Sequence, residues 1–216
     1  MQPEIVLYGN TPATSPYVMS VLVALEEKRL AYRLELLDLA RGEQHGAEFV
    51  AHSITNRVPA LLVKESSGDF WLSESVAILE YLEERFAPPE FVAIYPRGLE
   101  ARARVRLVQG LIRSDFLPIR EERSTDTIFC GQPIQPLSEG AEAARVRLVR
   151  IAAALVPPGA RFVAGDFSIA DVDLATMLQR LVHNGDEIPA HLADYANAVW
   201  QRPSIQKWLG LTRYRR

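Results

Sequence analysis

The first 86 residues alternate strand-like runs with helical ones, and this alternation restricts the fold more than any other feature of the chain. The runs follow one another in the order β-α-β-α-β-β-α. They cover residues 4–8, 16–28, 31–39, a polar stretch around 42–46, then 59–63, 70–73 and 75–86. Because strands that alternate with helices form parallel pairs, the order predicts a mixed sheet in which the last hairpin adds an antiparallel edge.

A proline-rich segment follows, and beyond it the pattern is helical almost to the end. The segment "APPEFVAIYP" holds three prolines in ten residues, and a residue before proline avoids the α-helical region. Helical patterns cover residues 99–123, 138–155, 169–183, 188–200 and 203–210. We expect Pro118 to kink or weaken the end of the first of these helices. The predicted organisation is a small α/β domain (1–86), a linker (87–97) and an all-α domain (98–216).

Charge and cysteine content narrow the class of protein. The net charge of -3 argues against binding to nucleic acid. The single cysteine, Cys130, cannot form an intramolecular disulfide, and the histidines show no metal-ligand spacing. The chain has no apolar run near the ~18 residues that a membrane helix needs, and its first residues lack the features of a signal peptide. We therefore predict a cytoplasmic protein without a metal, a nucleic-acid partner or a membrane partner.

The loop between the first strand and the first helix, within "GNTPATSPYVMS" (9–20), is rich in polar side chains but has no cysteine or histidine. Ser15 precedes Pro16, as expected of a residue that caps a helix N-terminus. It could do no more than accept a backbone N–H near Val18. Because a hydroxyl also carries a proton, it could instead donate to an anion outside the loop. The rival donors in the same loop are Asn10, Thr11 and Thr14.

The chain resembles the cytosolic glutathione transferase superfamily over nearly its whole length. The order of elements carries this resemblance together with four motifs. These are "SPY" (15–17), "RVPALL" (57–62), "LSESVAILEYLEERF" (72–86) and "FSIADVDLA" (167–175). Within the superfamily, "SPYV", "RFAPPE" and "RSDFLPIREERSTD" look most like the bacterial YfcF-type glutathione transferases. The resemblance implies a thioredoxin-like N-terminal domain that binds glutathione, an all-α C-terminal domain and a homodimer.

The resemblance also implies a catalytic role for Ser15. The thiol of glutathione is mostly protonated at neutral pH, and the thiolate is the nucleophile. A hydroxyl donor and the positive end of a helix both favour the thiolate. In this interpretation the reactive sulfur belongs to glutathione, so the loop needs hydrogen-bond donors rather than a cysteine of its own.

Val58-Pro59 is the second part of the predicted site. Most X-Pro bonds in folded proteins are trans, so the residues by themselves favour a trans peptide here. The family pattern instead implies a cis bond that turns the Val58 N–H and C=O outward. The cysteinyl part of glutathione would then pair with Val58 like an added strand. Arg57 would bind the glycyl carboxylate, with His52 as a weaker candidate. The alternative for Arg57 is an arginine exposed to solvent.

Glu74 and Ser75 are the third part, where a strand ends and a helix begins. A helix N-terminus is an anion site, so Ser75 would take the γ-glutamyl carboxylate while Glu74 takes the ammonium group. The alternative is simple capping of the helix by Ser73 or Ser75, with Glu74 favouring the helix dipole.

Three further features are interpreted mainly as structural. Ser168 and Asp171 form the S-x-x-D pattern of a capping box. A redox role for Cys130 is not favoured. Four arginines share one helical stripe and either line a substrate cleft or an interface, or form a solvated face: Arg102, Arg106, Arg113 and Arg120.

The predicted activity is transfer of the glutathione thiolate to a small electrophile, with glutathione-dependent reduction of a peroxide or disulfide as an equal option. A non-catalytic adaptor, of the kind represented by the stringent starvation proteins, is the alternative. A glutaredoxin-like enzyme is disfavoured because no cysteine occupies the loop before the first helix. The sequence does not identify the electrophile.

Overall fold

The computed structural model describes residues 3–129 and 135–213, so Cys130 lies outside the described residues. The chain divides into two compact units. The first comprises Met1–Ala93 together with Lys207–Arg216, and the second comprises Ile94–Gln206. This division assigns the last ten residues to the first unit, whereas the sequence-based division kept them in a domain over 98–216.

The first unit is built on a four-stranded mixed sheet. Its strands are β1 (Glu4–Asn10), β2 (Arg33–Leu37), β3 (Ala60–Glu65) and β4 (Gly68–Ser73), in the spatial order β2-β1-β3-β4. The β1–β2 pair is parallel, and the β1–β3 and β3–β4 pairs are antiparallel. The predicted mixed sheet with an antiparallel hairpin at its edge is thus confirmed.

Two α-helices connect these strands: α1 (Pro16–Glu27) joins β1 to β2, and α2 (Ala47–His52) joins β2 to β3 after a short 3-10 turn at Glu43–His45. A third helix, α3 (Ser75–Arg85), follows β4. Every residue of α1 from Val18 to Leu25 is buried, and α1 packs against α3. The run "VMSVLVAL" is apolar around nearly the whole helix, which is typical of a helix in the core.

A buried lysine joins the far ends of α1 and α3. The Lys28 Nζ lies 2.7 Å from the Glu83 carboxylate and donates to the carbonyls of Phe86 and Val92, each at 2.9 Å. Each of the three N–H donors of the ammonium group therefore has an acceptor, which is what burial of a charge requires.

The second unit is helical. Its helices are α4 (Leu99–Ser114), α5 (Leu117–Glu122), α6 (Thr125–Phe129), α7 (Glu139–Leu155), α8 (Ile169–Val182) and α9 (Ala190–Trp200). A further helix, α10 (Pro203–Arg213), begins in this unit and continues into the residues assigned to the first. All residues of α8 from Ile169 to Leu181 are buried, so α8 forms the core of this unit.

The prediction of a single helix over residues 99–123 is wrong. Helix α4 ends at Ser114, Phe116 takes a left-handed conformation (φ 60°), and α5 begins at Leu117. Pro118 lies in the first turn of α5, where backbone N–H groups have no partner within the helix, so the proline is accommodated there instead of bending a longer helix.

The predicted capping box at the start of α8 is confirmed. Asp171 Oδ2 accepts the N–H and the hydroxyl of Ser168, at 2.8 and 3.1 Å. Its Oδ1 accepts the Val163 N–H at 2.8 Å and the Tyr195 hydroxyl at 2.9 Å. Burial raises the pKa of Asp171, and the four donors oppose that effect. The carboxyl group therefore joins α8, α9 and the loop before α8.

Candidate functional site

The β1–α1 loop places Ser15 at the N-terminus of α1. Ser15 has extended backbone angles (φ -71°, ψ 117°), and its Oγ accepts the Val18 N–H at 3.4 Å. The predicted helix cap is confirmed. Because accepting this bond uses one lone pair of the oxygen, the hydroxyl proton is available to an acceptor outside the loop. Ser15 is half-buried, so part of the residue is open to solvent.

Asn10 organises this loop from within. Its Oδ1 accepts the Ser15 N–H and its Nδ2 donates to Thr14 Oγ1, both at 3.1 Å, while its carbonyl accepts the Ala13 N–H at 2.6 Å. The side chains of Asn10 and Thr14 are buried and bonded to each other. Of the rival donors, these two therefore serve the loop itself. Thr11 is half-buried like Ser15 and stays a second candidate.

Val58-Pro59 forms a cis peptide bond, as the family resemblance implied. Pro59 is buried and directly precedes β3. The Arg57 N–H donates to Thr55 Oγ1 at 3.3 Å. Within the described residues the exposed Arg57 guanidinium has no hydrogen-bond or ion-pair partner. The weaker candidate, His52, instead stacks on Trp71, with ring centroids 4.8 Å apart and an angle of 7° between planes.

Glu74 occupies the N-cap position of α3 without capping it through its side chain. It is exposed and has a positive φ of 71°, while Ser75 is buried. The alternative that Ser73 caps α3 is wrong, because Glu74 occupies the N-cap position; the Ser73 hydroxyl bonds the Ser53 hydroxyl at 3.2 Å. A positive φ at a residue other than glycine costs about 1–3 kcal/mol and is commonest at functional sites.

Strand register brings these three segments to one edge of the sheet. Tyr8 pairs with Ala60, and Ala60 pairs with Ser73. The Ser15 loop begins where β1 ends at Asn10, two residues after Tyr8. The Val58-Pro59 pair directly precedes Ala60, and the Glu74-Ser75 pair directly follows Ser73. Helices α1 and α3 also begin at this edge, so two positive helix ends lie beside the polar groups. The edge is suited to an anionic ligand that lies in an extended conformation.

Comparison with known proteins decides the family. The family described as Glutathione S-transferase, C-terminal domain, matches residues 98–213, more than half of the chain. The family described as Glutathione S-transferase, N-terminal domain, matches residues 14–85. The chain belongs to the glutathione S-transferase superfamily. Its predicted fold, a thioredoxin-like α/β part followed by an all-helical part, is confirmed.

Three relatives show the range of this superfamily. Human glutathione S-transferase theta-1 is 28% identical over 175 residues, which are 78% of this chain and 70% of that protein. A stringent starvation protein A homolog from Pasteurella multocida is 27% identical over 205 residues, 92% of this chain and 88% of that protein. A crystal structure of a glutathione transferase homolog from Burkholderia GL BGR1, with bound glutathione, has a TM-score of 0.79 and 35% identity and covers 99% of this chain and 100% of that one.

Two of the four arginines on the predicted stripe, Arg102 and Arg113, have partners inside the helical unit. Arg113 Nη1 lies 2.9 Å from Asp173 Oδ2 and donates to the Gln109 carbonyl at 3.1 Å. The Arg102 guanidinium lies 5.2 Å from the centre of the Tyr95 ring. Arg106 and Arg120 also make polar or ring contacts. These contacts hold Arg102 and Arg113 to neighbouring parts of the helical unit, and the predicted role of the stripe in a cleft stays a prediction.

Sequence reasoning missed two residues that shape the site. Ala13 has a positive φ of 67°, although alanine gives no signal for that conformation. Thr212 Oγ1 donates to the Ala13 carbonyl at 2.9 Å, and no local pattern relates residues so distant in the chain.

The described residues contain no group of three or more His, Cys, Asp or Glu side chains that could hold a metal ion. None of the helices in the described ranges is long and apolar enough to span a membrane.

Proposed function

We propose that this protein is a glutathione-dependent transferase that binds glutathione on its α/β unit and uses Ser15 to stabilise the bound thiolate. The observation that supports it best is the half-exposed Ser15 hydroxyl at the N-terminus of α1, which accepts the Val18 N–H and keeps its own proton to donate. Membership of the superfamily supports the same conclusion, as does the bound glutathione in the Burkholderia homolog.

The proposed chemistry follows from the charge that develops on sulfur. A free thiol has a pKa of about 8.5, so only a few per cent is thiolate at neutral pH. A hydroxyl donor at the sulfur, together with the positive end of α1, stabilises the anion and lowers that pKa. The thiol proton leaves to solvent. The thiolate electron pair then forms a bond to an electrophilic carbon, while the leaving group on that carbon departs with its bonding pair or, in an addition, the electrons of an activated double bond shift away and take up a proton from solvent.

Three segments at the same sheet edge would hold the tripeptide. The main chain of Val58 would pair with the cysteinyl part, and the exposed Arg57 would bind the glycyl carboxylate. At the other end, Ser75 would bind the γ-glutamyl carboxylate and Glu74 the ammonium group. The missing side-chain cap on α3 supports this assignment, because the exposed Glu74 carboxylate keeps its capacity to accept.

We also propose a second reaction of the same thiolate, because the chain resembles the YfcF-type glutathione transferases. Two glutathione molecules would reduce one hydroperoxide to an alcohol and water while forming one glutathione disulfide. Both reactions depend on Ser15 in the same way, so the site itself does not choose between them. A homodimer in the cytoplasm belongs to the same proposal.

A non-catalytic adaptor is the second candidate function. The stringent starvation protein A homolog, which matches 92% of this chain, favours it. An adaptor does not need an activated thiolate, even if it binds glutathione. The two candidates therefore differ in the ionisation of the bound thiol.

Titration of the purified protein with glutathione tests the proposal. We expect saturable binding below millimolar concentration and a thiolate absorbance near 240 nm whose pKa lies below that of free glutathione. Turnover is then measured with 1-chloro-2,4-dinitrobenzene and with cumene hydroperoxide. Binding without thiolate or turnover would support the adaptor. Absence of glutathione binding would overturn both the transferase and the peroxidase proposals.

A further inference from the structure

The end of α10 reaches the loop that carries Ser15. Thr212 is buried, and its hydroxyl donates to the carbonyl of Ala13 at 2.9 Å. Ala13 is completely buried and lies two residues before Ser15. Both residues belong to the first unit, so this contact lies within one compact body.

Ala13 is the strained residue of the loop. Its φ of 67° lies in the left-handed region, which disfavours a residue with a Cβ atom. Such a conformation persists where the surroundings hold it. Here both backbone groups are held, since the N–H donates to the Asn10 carbonyl at 2.6 Å and the C=O accepts the Thr212 hydroxyl.

The position of Thr212 is itself well defined. Earlier on the same helix, Lys207 Nζ lies 2.5 Å from Glu26 Oε1, near the end of α1. The Tyr32 hydroxyl donates to the same Glu26 oxygen at 2.7 Å. Trp208 is completely buried. Residues 207–212 are thus attached near both ends of α1: at Glu26, and at the loop that precedes Ser15.

We propose that Thr212 is a positioning residue that holds the β1–α1 loop in the conformation that aims the Ser15 hydroxyl at the bound sulfur. This inference rests on the proposed function. Asn10 orients Ser15 from inside the loop, through its bond to the Ser15 N–H, and Thr212 holds the loop from α10. Loss of the Thr212 hydroxyl leaves the Ala13 carbonyl buried without its partner, and the loop relaxes.

The test compares Thr212→Val with Thr212→Ser and with a matched control. Thr176 in α8 is also buried, and its Oγ1 donates to the Val172 carbonyl at 2.7 Å. Thr176→Val therefore removes the same kind of bond in the other unit. The readouts are hydrogen exchange of the Ala13 and Ser15 amides without glutathione, the pKa of the bound thiol, and kcat and KM with saturating electrophile.

We expect Thr212→Val to speed exchange of both amides about tenfold. It should raise the pKa of the bound thiol by about 0.5–1, which lowers the thiolate fraction and kcat about three- to tenfold below that pKa. KM for glutathione should stay within about twofold, because Val58 and Ser75 are untouched. Thr212→Ser should restore all three values, and Thr176→Val should leave them unchanged.

Unchanged amide exchange in Thr212→Val would overturn the inference whatever the protein does with glutathione. Faster exchange with an unchanged thiol pKa would also overturn it, because the loop would then move without affecting the sulfur. If the wild-type protein binds no thiolate, the proposed function fails and this catalytic role fails with it. The exchange result, which needs no ligand, tells that failure apart from a failure of the Thr212 contact.

Discussion

Helices α1 and α8 both begin at a serine, but the two helix starts differ in how completely their polar groups are paired. Ser168 is completely buried, and with Asp171 it forms a closed box to which Val163 and Tyr195 also donate. Ser15 is half-buried and accepts a single N–H at 3.4 Å. A complete set of bonds makes a cap structural, whereas an incomplete set leaves a donor for a ligand.

The start of α3 is less complete still. Glu74 is exposed, has a positive φ and makes no capping bond through its side chain. The three helix starts therefore form a series from closed to open. If the series reflects function, substitutions should affect stability most at the start of α8 and ligand binding most at the start of α3.

The largest effect is expected for Asp171→Ala. It leaves the Val163 N–H, the Ser168 N–H and the Tyr195 hydroxyl buried without acceptors, so the free energy of unfolding should fall by roughly 3–5 kcal/mol. Urea denaturation measures the loss. Asp171→Asn, which keeps an acceptor oxygen, should lose less. A stable but inactive Asp171→Ala protein would contradict the structural role.

Ser15→Ala should show the reverse pattern. Without the hydroxyl donor, kcat/KM should fall about 100-fold, while stability falls by about 1 kcal/mol or less because the capping bond is long. Steady-state kinetics and denaturation measure the two effects. Ser138→Ala is the matched control, since Ser138 caps α7 by accepting the Ala141 N–H at 3.3 Å. Equal losses of activity in both variants would refute the role of Ser15.

Glu74→Gly should separate binding from stability at α3. Loss of the carboxylate should raise KM for glutathione about tenfold with little change in kcat, because the ammonium contact is the same in substrate and transition state. Glycine tolerates the positive φ, so the protein should become more stable by up to about 1 kcal/mol. Glu74→Gln, which keeps the strain, serves as the control and should raise KM without the gain in stability.

The smallest effect is expected at the other end of α8. Burial lowers the pKa of His183, which caps the C-terminus of the helix and lies 5.6 Å from the Trp200 ring. The unfolded chain therefore binds more protons below about pH 6.5, and the free energy of unfolding falls as the pH drops from there towards the lower folded pKa. His183→Gln should flatten this part of the pH profile in denaturation experiments. An unchanged slope would mean that His183 does not titrate differently in the folded protein.

Much of the fold was predictable because its signals are local. The β-α-β-α-β-β-α order, the cap at Ser15 and the box at Ser168 and Asp171 each depend on neighbours within a few residues. The cis bond at Val58-Pro59 came from the family resemblance, since residues alone favoured trans. The roles assigned to Ser15, Arg57, Val58, Pro59, Glu74 and Ser75 are still predictions.

Errors arose where the three-dimensional environment decides between local options. Five apolar residues recur at helical spacing and are all buried: Val105, Val108, Ile112, Phe116 and Ile119. The helix nevertheless breaks at Phe116. Periodicity cannot show this break, because it reports only which side chains are buried. Likewise, Ser73 and Ser75 both qualify as caps by residue type, but the N-cap of α3 is Glu74, and the Ser73 hydroxyl bonds Ser53.

Local patterns in the sequence account for the order of elements in the α/β unit, the caps at Ser15 and Ser168 and the types of polar groups, because these depend on periodicity and on side chains a few residues apart. Only the packed structure shows that the three polar segments meet at one sheet edge, that Ala13 takes a left-handed conformation and that Thr212 donates to its carbonyl. Strand register and a hydrogen bond across 199 residues arise only when distant parts of the chain pack together.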